Sequence, residues 1–287
     1  LILLETLNSH PVVAMAVAFL FALMIGSFLN VVIYRVPKMM ELEWQAQVDE
    51  MQGKEPSQER FNLSVPASSC PKCGHKIRWF ENIPVISYLM QKGQCNGCHT
   101  PISARYPSVE LFTALISMYV VSVYGLNEIS LAVMLFSWIL ICLTLIDYDT
   151  QLLPDSITLP LLWLGLLVNS FGMFTSLHMA VAGAMLGYLS LWSIYWLFKL
   201  LTGKEGMGYG DFKLLAALGA WAGADQLPVI ILFSSLVGAI FGIMLIVLKR
   251  HERQNPIPFG PYLAVAGWIS LIWGQEITHK YLQLIGV

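Results

Sequence analysis

"GMGYGDFKLLAALGAWAGAD", Gly206 to Asp225, sits between two of the most apolar stretches of the chain. Three glycines in five residues lead into a single aspartate, Asp211, and the apolar run resumes at Leu214. That run, 214–225, is the shortest of the candidate membrane spans. At about 1.5 Å per residue it covers roughly 18 Å, against a hydrocarbon core of about 30 Å. A half-span or re-entrant helix is therefore the alternative to a full crossing. Which reading holds decides the topology of everything that follows.

Working outward, further apolar runs lie at 11–34, 106–124, 129–147, 156–174, 178–200, 228–248 and 259–277. With 214–225 they make eight. The expected fold is an all-α polytopic membrane protein, divided as 1–34 (first span), 35–105 (soluble loop domain) and 106–287 (membrane core). Composition agrees: 56% of the 287 residues are hydrophobic and 12% charged, half the charged share of a soluble domain, and mean hydropathy is +0.66. The run Pro11–Tyr34 is too long for the h-region of a cleaved signal peptide. No basic stripe interleaved with aromatics points to nucleic acid, so lipid is the expected surroundings. The glycine pairs Gly183/Gly187, Gly219/Gly223 and Gly238/Gly242 suit helices that approach closely in lipid.

Lys and Arg placement sets the orientation. The insertion between the first two spans holds nine of the sixteen: Arg35, Lys38, Lys54, Arg60, Lys72, Lys76, Arg78, Lys92 and Arg105. If it is cytoplasmic, eight alternating spans put Lys199, Lys204, Lys213, Lys249, Arg250 and Arg253 inside too, and only Lys280 outside. Dropping 214–225 would move Lys249, Arg250 and Arg253 to the wrong side. The short span stays.

Acidic residues at a membrane core are costly and mark function. The third span ends in "LTLIDYDTQLLPD" with Asp147, and Asp211 starts the sixth; on this topology both ends are cytoplasmic. Two carboxylates from separate helices thus converge on one interface by an argument that used only Lys and Arg. Held close, such a pair shares a proton and titrates as a unit, as in the aspartic proteases. Gly208 and Gly210 offer backbone angles closed to other residues and let a peptide backbone come near. The plainer alternatives are that Asp211 is only a helix N-cap, and that Asp147 faces water beside Asp149 and Asp155.

The soluble insertion contains "CPKCGHK" and "CNGCHT", two C-x2-C pairs (Cys70/Cys73, Cys95/Cys98) with 21 residues between them. Two such pairs complete a tetrahedral four-thiolate site, and a cytoplasmic location favours metal over disulfides. One structural zinc ion is expected. Gly74 and Gly97 suit the knuckle turns; His75 and His99 adjoin the knuckles as substitute ligands for which four cysteines leave no vacancy. Met40–Asn62 reads as a solvated helix or mobile arm, and Glu110 either pairs with Arg105 or lines a polar pocket.

In this order and spacing, "GSFLNVVIYRVP", the paired knuckles, "NIPVISYL", "RYPSVELF", "IDYDTQLLPD", "GMGYGDFKLLAALGAW" and "PIPFGPYLA" resemble the bacterial type IV prepilin peptidases nearly end to end. The resemblance implies an aspartyl protease of the GxGD kind (Gly208 to Asp211) with Asp147 and Asp211 as the catalytic pair. Asp147 is favoured over Asp149 because the family's first aspartate ends the apolar run. It implies prepilin and pseudopilin substrates with a short basic leader, cut after a glycine at the cytoplasmic face of the inner membrane. It further implies N-methylation of the new amino terminus using S-adenosylmethionine, since members with four cysteines are the bifunctional ones. No Gly-rich βα turn identifies a pocket for that cofactor. Two readings compete: a transporter or channel with acidic ion ligands and a regulatory zinc loop, and a non-catalytic assembly scaffold.

Overall fold

The computed structural model describes residues 7–54, 60–247 and 258–285. Lys249, Arg250 and Arg253, used above for orientation, lie outside them. The described residues form helices with no strand; two isolated bridges, Ser69 with Lys76 and Gln94 with Pro101, are the β pairings seen. The helices are α1 (Pro11–Met51), a short α2 (Ile86–Met90), α3 (Arg105–Tyr124), α4 (Glu128–Thr150), α5 (Asp155–Ser170), α6 (Leu177–Thr202), α7 (Tyr209–Ala222), α8 (Leu227–Val247) and α9 (Gly260–Ile285).

Each of the eight apolar runs coincides with one long helix. By length and composition five segments can cross a membrane (α1, α3, α4, α6 and a window over α8), and α5 is a shorter apolar helix. The chain divides into two compact units, residues 1–142 and 143–287, with the boundary inside α4.

In the first unit, α1 does not stop at Tyr34. It continues through Pro37 to Met51, 41 residues in all, about 60 Å at the α-helical rise. Its second half extends well past a bilayer's thickness, so the polar stretch from Met40 is helix as far as Met51. Arg35 is buried and donates to the carbonyls of Asn62 (2.8 Å) and Pro66 (2.7 Å), tying the returning chain to the helix. α1 and α3 touch backbone to backbone: a Cβ on Gly26 would lie 2.6 Å from Glu110 Cα. Glu110 Oε2 accepts the Val85 N–H at 2.8 Å. Val85 has φ of 60° and ψ of −48°, and the Ile86 N–H reaches the Pro84 carbonyl at 2.6 Å. This is the rare γ-turn, at a β-branched residue, capped by the carboxylate.

In the second unit, α7 is the short element expected from the sequence, 14 residues long, about 21 Å. It is also the most enclosed: all but one of the side chains from Asp211 to Trp221 are buried. Its neighbours compensate for its length. Helix C-termini leave carbonyls without partners, and inside a membrane water cannot satisfy them. Asn169 of α5 supplies the donors, its Nδ2 reaching the carbonyls of Ala220 (2.8 Å) and Trp221 (3.0 Å). Its Oδ1 takes the N–H groups of Phe174 and Thr175. Trp221 Nε1 donates to the Leu161 carbonyl at 2.8 Å.

On the other side, Gly183 of α6 and Gly219 of α7 meet back to back, a Gly183 Cβ lying in contact with the Gly219 carbonyl oxygen and 2.8 Å from its carbon. Gly187 packs likewise on the Leu215 backbone. Gly223 departs from the helix-packing expectation. It caps α7 at φ 95°, a conformation natural to glycine.

Because both Gly183 contacts are backbone, Gly183→Val has nowhere to put its side chain. Overpacking costs about 1–3 kcal/mol, and here the helices must separate. A fall in detergent-solubilised melting temperature of at least several degrees is expected; an unchanged melting curve would contradict this contact.

Candidate active site

Asp147 lies in the last turns of α4, buried at 5% exposure, after the apolar face Leu143–Ile146 that draws that end of the helix inward. The helix ends at Thr150, and Gln151, at φ 56°, returns its N–H to the Asp147 carbonyl at 2.8 Å. Tyr148 and Asp149 are exposed. The structure thus separates the two acids of "DYD": one faces protein, the other the surface.

Asp211 lies in the first turn of α7, 8% exposed. It is not the N-cap. That position is Gly208, in extended conformation (φ −81°, ψ 149°) with no side-chain cap, and the Asp211 N–H reaches the Gly208 carbonyl at 3.3 Å. Asp147 and Asp211 are both buried. Lys213 does not neutralise them; its Nζ contacts both oxygens of Asp155 at 2.7 Å, a partly exposed pair of little net worth.

The expectation for the glycines needs correction. Gly208 is extended and Gly210 helical, so neither uses an angle closed to other residues. What Gly210 requires is space: a Cβ there would lie 2.7 Å from Leu153 Cβ. The same Leu153 faces Gly260, whose added Cβ would be 3.3 Å from Leu153 Cδ1 and 2.6 Å from Asp147 Oδ2. The Gly260 N–H donates to Asp147 Oδ2 at 2.9 Å. Asp147, Gly260, Leu153, Gly210 and Asp211 therefore form one contiguous group. Sequence reasoning missed Leu153 and Gly260 as site residues. The available signals were "IDYDTQLLPD" and "PIPFGPYLA", motifs without an assigned task.

Below Asp211, Tyr209 and Phe212 pack on Tyr195 of α6, with centroids 5.3 and 5.6 Å away. Lys199 Nζ donates to the Tyr195 hydroxyl (3.1 Å) and to Glu205 (2.8 Å). These contacts moor the glycine-rich hinge to α6.

In the first unit, Cys70, Cys73, Cys95 and Cys98 come together, their Sγ atoms all within 4.8 Å of one another and none in a disulfide. The Cys70–Cys98 and Cys73–Cys95 separations are 3.8 and 3.9 Å. A tetrahedral zinc with Zn–S bonds of about 2.3 Å needs sulfurs about 3.8 Å apart, so the four residues fit that ion.

The knuckles repeat one another. Cys70 N–H to His75 O matches Cys95 N–H to Thr100 O, and Gly74 N–H to Cys70 O matches His99 N–H to Cys95 O. The left-handed residue is Gly74 in the first and His99, not Gly97, in the second. Gly97 serves by lacking a Cβ, which would lie 3.0 Å from His75 Cβ and 3.3 Å from Cys73 Sγ. Glu81 joins the knuckles, accepting from the Arg78 N–H, His75 Nε2 and Asn96 Nδ2 at 2.8, 3.1 and 2.8 Å. The Arg78 amide, with Asn96 and His75, holds its carboxyl down at about 2.

Residues 134–243, which include both aspartates, match the Type IV leader peptidase family, and residues 20–124 match the Bacterial Peptidase A24 N-terminal domain. A "Prepilin leader peptidase/N-methyltransferase" of Pseudomonas aeruginosa is 56% identical over 286 residues, covering 99% of each chain.

The chain belongs to the type IV leader peptidase family.

Another relative of the same description, from Aeromonas salmonicida, is 58% identical over 288 residues, again 99% of each chain. One from Burkholderia pseudomallei is 46% identical over 276 residues, 95% of this chain and 88% of its own. No solved structure matches the chain. Membership in this leader peptidase family gives no support to the transporter or scaffold readings.

Proposed function

We propose that this leader peptidase cuts type IV prepilins and pseudopilins at the cytoplasmic face of the bacterial inner membrane, using Asp147 and Asp211. It then methylates the freed amino terminus with S-adenosylmethionine. The observation that carries the reading is that two buried carboxylates, from α4 and α7, flank one group: Gly260 bonds Asp147, and Leu153 fills the notch between Gly260 and the Gly210 that precedes Asp211. Two such acids can hold one proton between them. The ionised one takes a proton from water as its oxygen attacks the scissile carbonyl carbon, while the protonated one gives its proton to the carbonyl oxygen. Collapse of the tetrahedral species breaks the C–N bond, and the departing amine takes a proton from the pair.

Support for the cytoplasmic side comes from the distribution of Lys and Arg, and the prepilin's apolar helix would lie in lipid beside the spans. The span-and-loop division at 1–34, 35–105 and 106–287 belongs to the same reading, with 35–105 as the zinc-bearing loop domain. The four thiolates leave no open position, so the zinc ion shapes the loop and takes no part in hydrolysis. S-adenosylmethionine would supply an electrophilic methyl group. Among the described residues no strand leads into a Gly-rich turn, so a dinucleotide-type cradle for it is not built there.

The test is to incubate the purified protein with a prepilin peptide and isotope-labelled S-adenosylmethionine and read product masses. A leader fragment plus a labelled mature peptide is expected. An intact peptide after prolonged incubation would overturn the peptidase reading, and an unlabelled mature product would overturn the methyl-transfer half.

A further inference from the structure

We propose that Gly260, with Leu153, is a positioning element of the peptidase site. The Gly260 amide orients Asp147, and its missing side chain keeps the carboxylate in place. This rests on the reading of Asp147 and Asp211 as the catalytic pair and deepens it.

The argument begins with the amide accounting at the start of α9. The first N–H groups of a helix have no intrahelical acceptor, and near a membrane core an orphan is costly. In "FGPYL", Pro261 has no N–H, and those of Tyr262 and Leu263 go to the Phe259 carbonyl at 3.1 and 3.2 Å. The Gly260 N–H goes instead to Asp147 Oδ2, across 113 positions of sequence, at 2.9 Å. The proline thus leaves Gly260 as the single N–H of the first turn directed at a side chain.

Space gives a second, independent constraint. A Cβ at 260 would lie 2.6 Å from Asp147 Oδ2 and 3.1 Å from its Cγ. Ordinary contact distances are about 3.5 Å or more, so even alanine must displace the carboxylate by on the order of 1 Å. Leu153 blocks one escape: its side chain fills the notch left by two missing Cβ atoms, at Gly210 beside Asp211 and at Gly260 beside Asp147. One leucine therefore sets the spacing between the two acid-bearing segments, and it does so only because both neighbours are glycine.

A misplacement of about 1 Å can cost roughly 100-fold in rate. Gly260→Ala is accordingly expected to lower kcat for prepilin peptide about 100-fold or more while KM stays within about threefold, since the displaced group acts in the chemical step. The control is Gly267→Ala on the same helix. The atoms nearest its Cβ would be Leu218 side-chain carbons, so it should lower the melting temperature yet keep kcat. Should Gly260→Ala not fold, Leu153→Ala, which removes atoms and adds none, is expected to lower kcat about tenfold with KM held.

Unchanged kcat in Gly260→Ala, or in Leu153→Ala where that stands in for it, would overturn the proposal. Equal kcat losses in Gly260→Ala and Gly267→Ala would do the same, since that marks general packing of α9. Asp147→Asn is run alongside: if it cuts normally, the two-aspartate reading has failed, whereas a dead Asp147→Asn beside an active Gly260→Ala removes only the positioning role.

Discussion

Asp147→Asn and Asp211→Asn are each expected to abolish leader cleavage while leaving the helices assembled. The substitution is isosteric. An asparagine at 147 can still accept the Gly260 N–H with its carbonyl oxygen, and one at 211 fills the same volume. What is lost is the capacity to take or give a proton, and each proton-transfer function contributes about 10²–10⁴-fold. On the proposed mechanism the two acids work as a unit, so losing either removes the shuttle and each single variant should look like the double. Cleavage is followed by mass spectrometry of a prepilin peptide, with helical circular dichroism and melting temperature as fold controls. Asp149→Asn should retain activity, since that residue is exposed on the far side of the "DYD" turn. Normal turnover in Asp147→Asn or Asp211→Asn would remove the pair from the mechanism, and a dead Asp149→Asn would mean the first aspartate was misassigned.

That both Asp147 and Asp211 would matter was legible in the sequence, and both are buried. Lys and Arg placement led to the expectation that the third span ends and the sixth begins on the same side, which would set the two acids at one level. The short sixth run, counted for the sake of charge balance, is indeed a separate helix. The reason it can be short was not legible. Asn169 supplies donors to the α7 carbonyls from 51 and 52 positions away, and a lone Asn in an apolar run announces no partner.

Glycines were the least readable residues, because a glycine acts through whatever its missing Cβ would have touched. Gly183 and Gly219 could be placed by their spacing, since helices in lipid need small residues to approach. Gly223, in the same spacing, turned out to be a cap. Gly260 could not be placed, since its partner is an acid on a helix far away in sequence and its donor is a backbone amide common to nearly every residue. The reach of α1 was ambiguous for a different reason. Mixed charge from Met40 onward suits a solvated helix as well as a mobile arm, and neither glycine nor proline occurs between Met40 and Gln52.

The four-cysteine loop poses the sharpest stability question, since beyond the Arg35 and Glu110 contacts to its backbone little ties it to the helices. Among described residues 60–104, Cys95 alone is buried; there is no apolar core, and two isolated bridges replace a sheet. The knuckle hydrogen bonds and the Glu81 contacts are local and wet, each worth about 1 kcal/mol, less than the entropy of ordering the residues that make them. A four-thiolate zinc contributes on the order of 10 kcal/mol in small peptides, enough to reverse that balance. Cys70→Ser/Cys95→Ser removes one thiolate from each knuckle and leaves only Cys73 and Cys98. Metal analysis should fall from about one zinc per chain to none, and the loop should become sensitive to limited proteolysis between Arg60 and Arg105. The second unit should keep its melting transition, since its packing among α5 to α9 contains no zinc ligand. Wild-type protein purified without zinc or any other thiophilic ion, yet protease-resistant in the loop, would show that these contacts suffice without a metal and that the four sulfurs were brought within 4.8 Å for some other purpose.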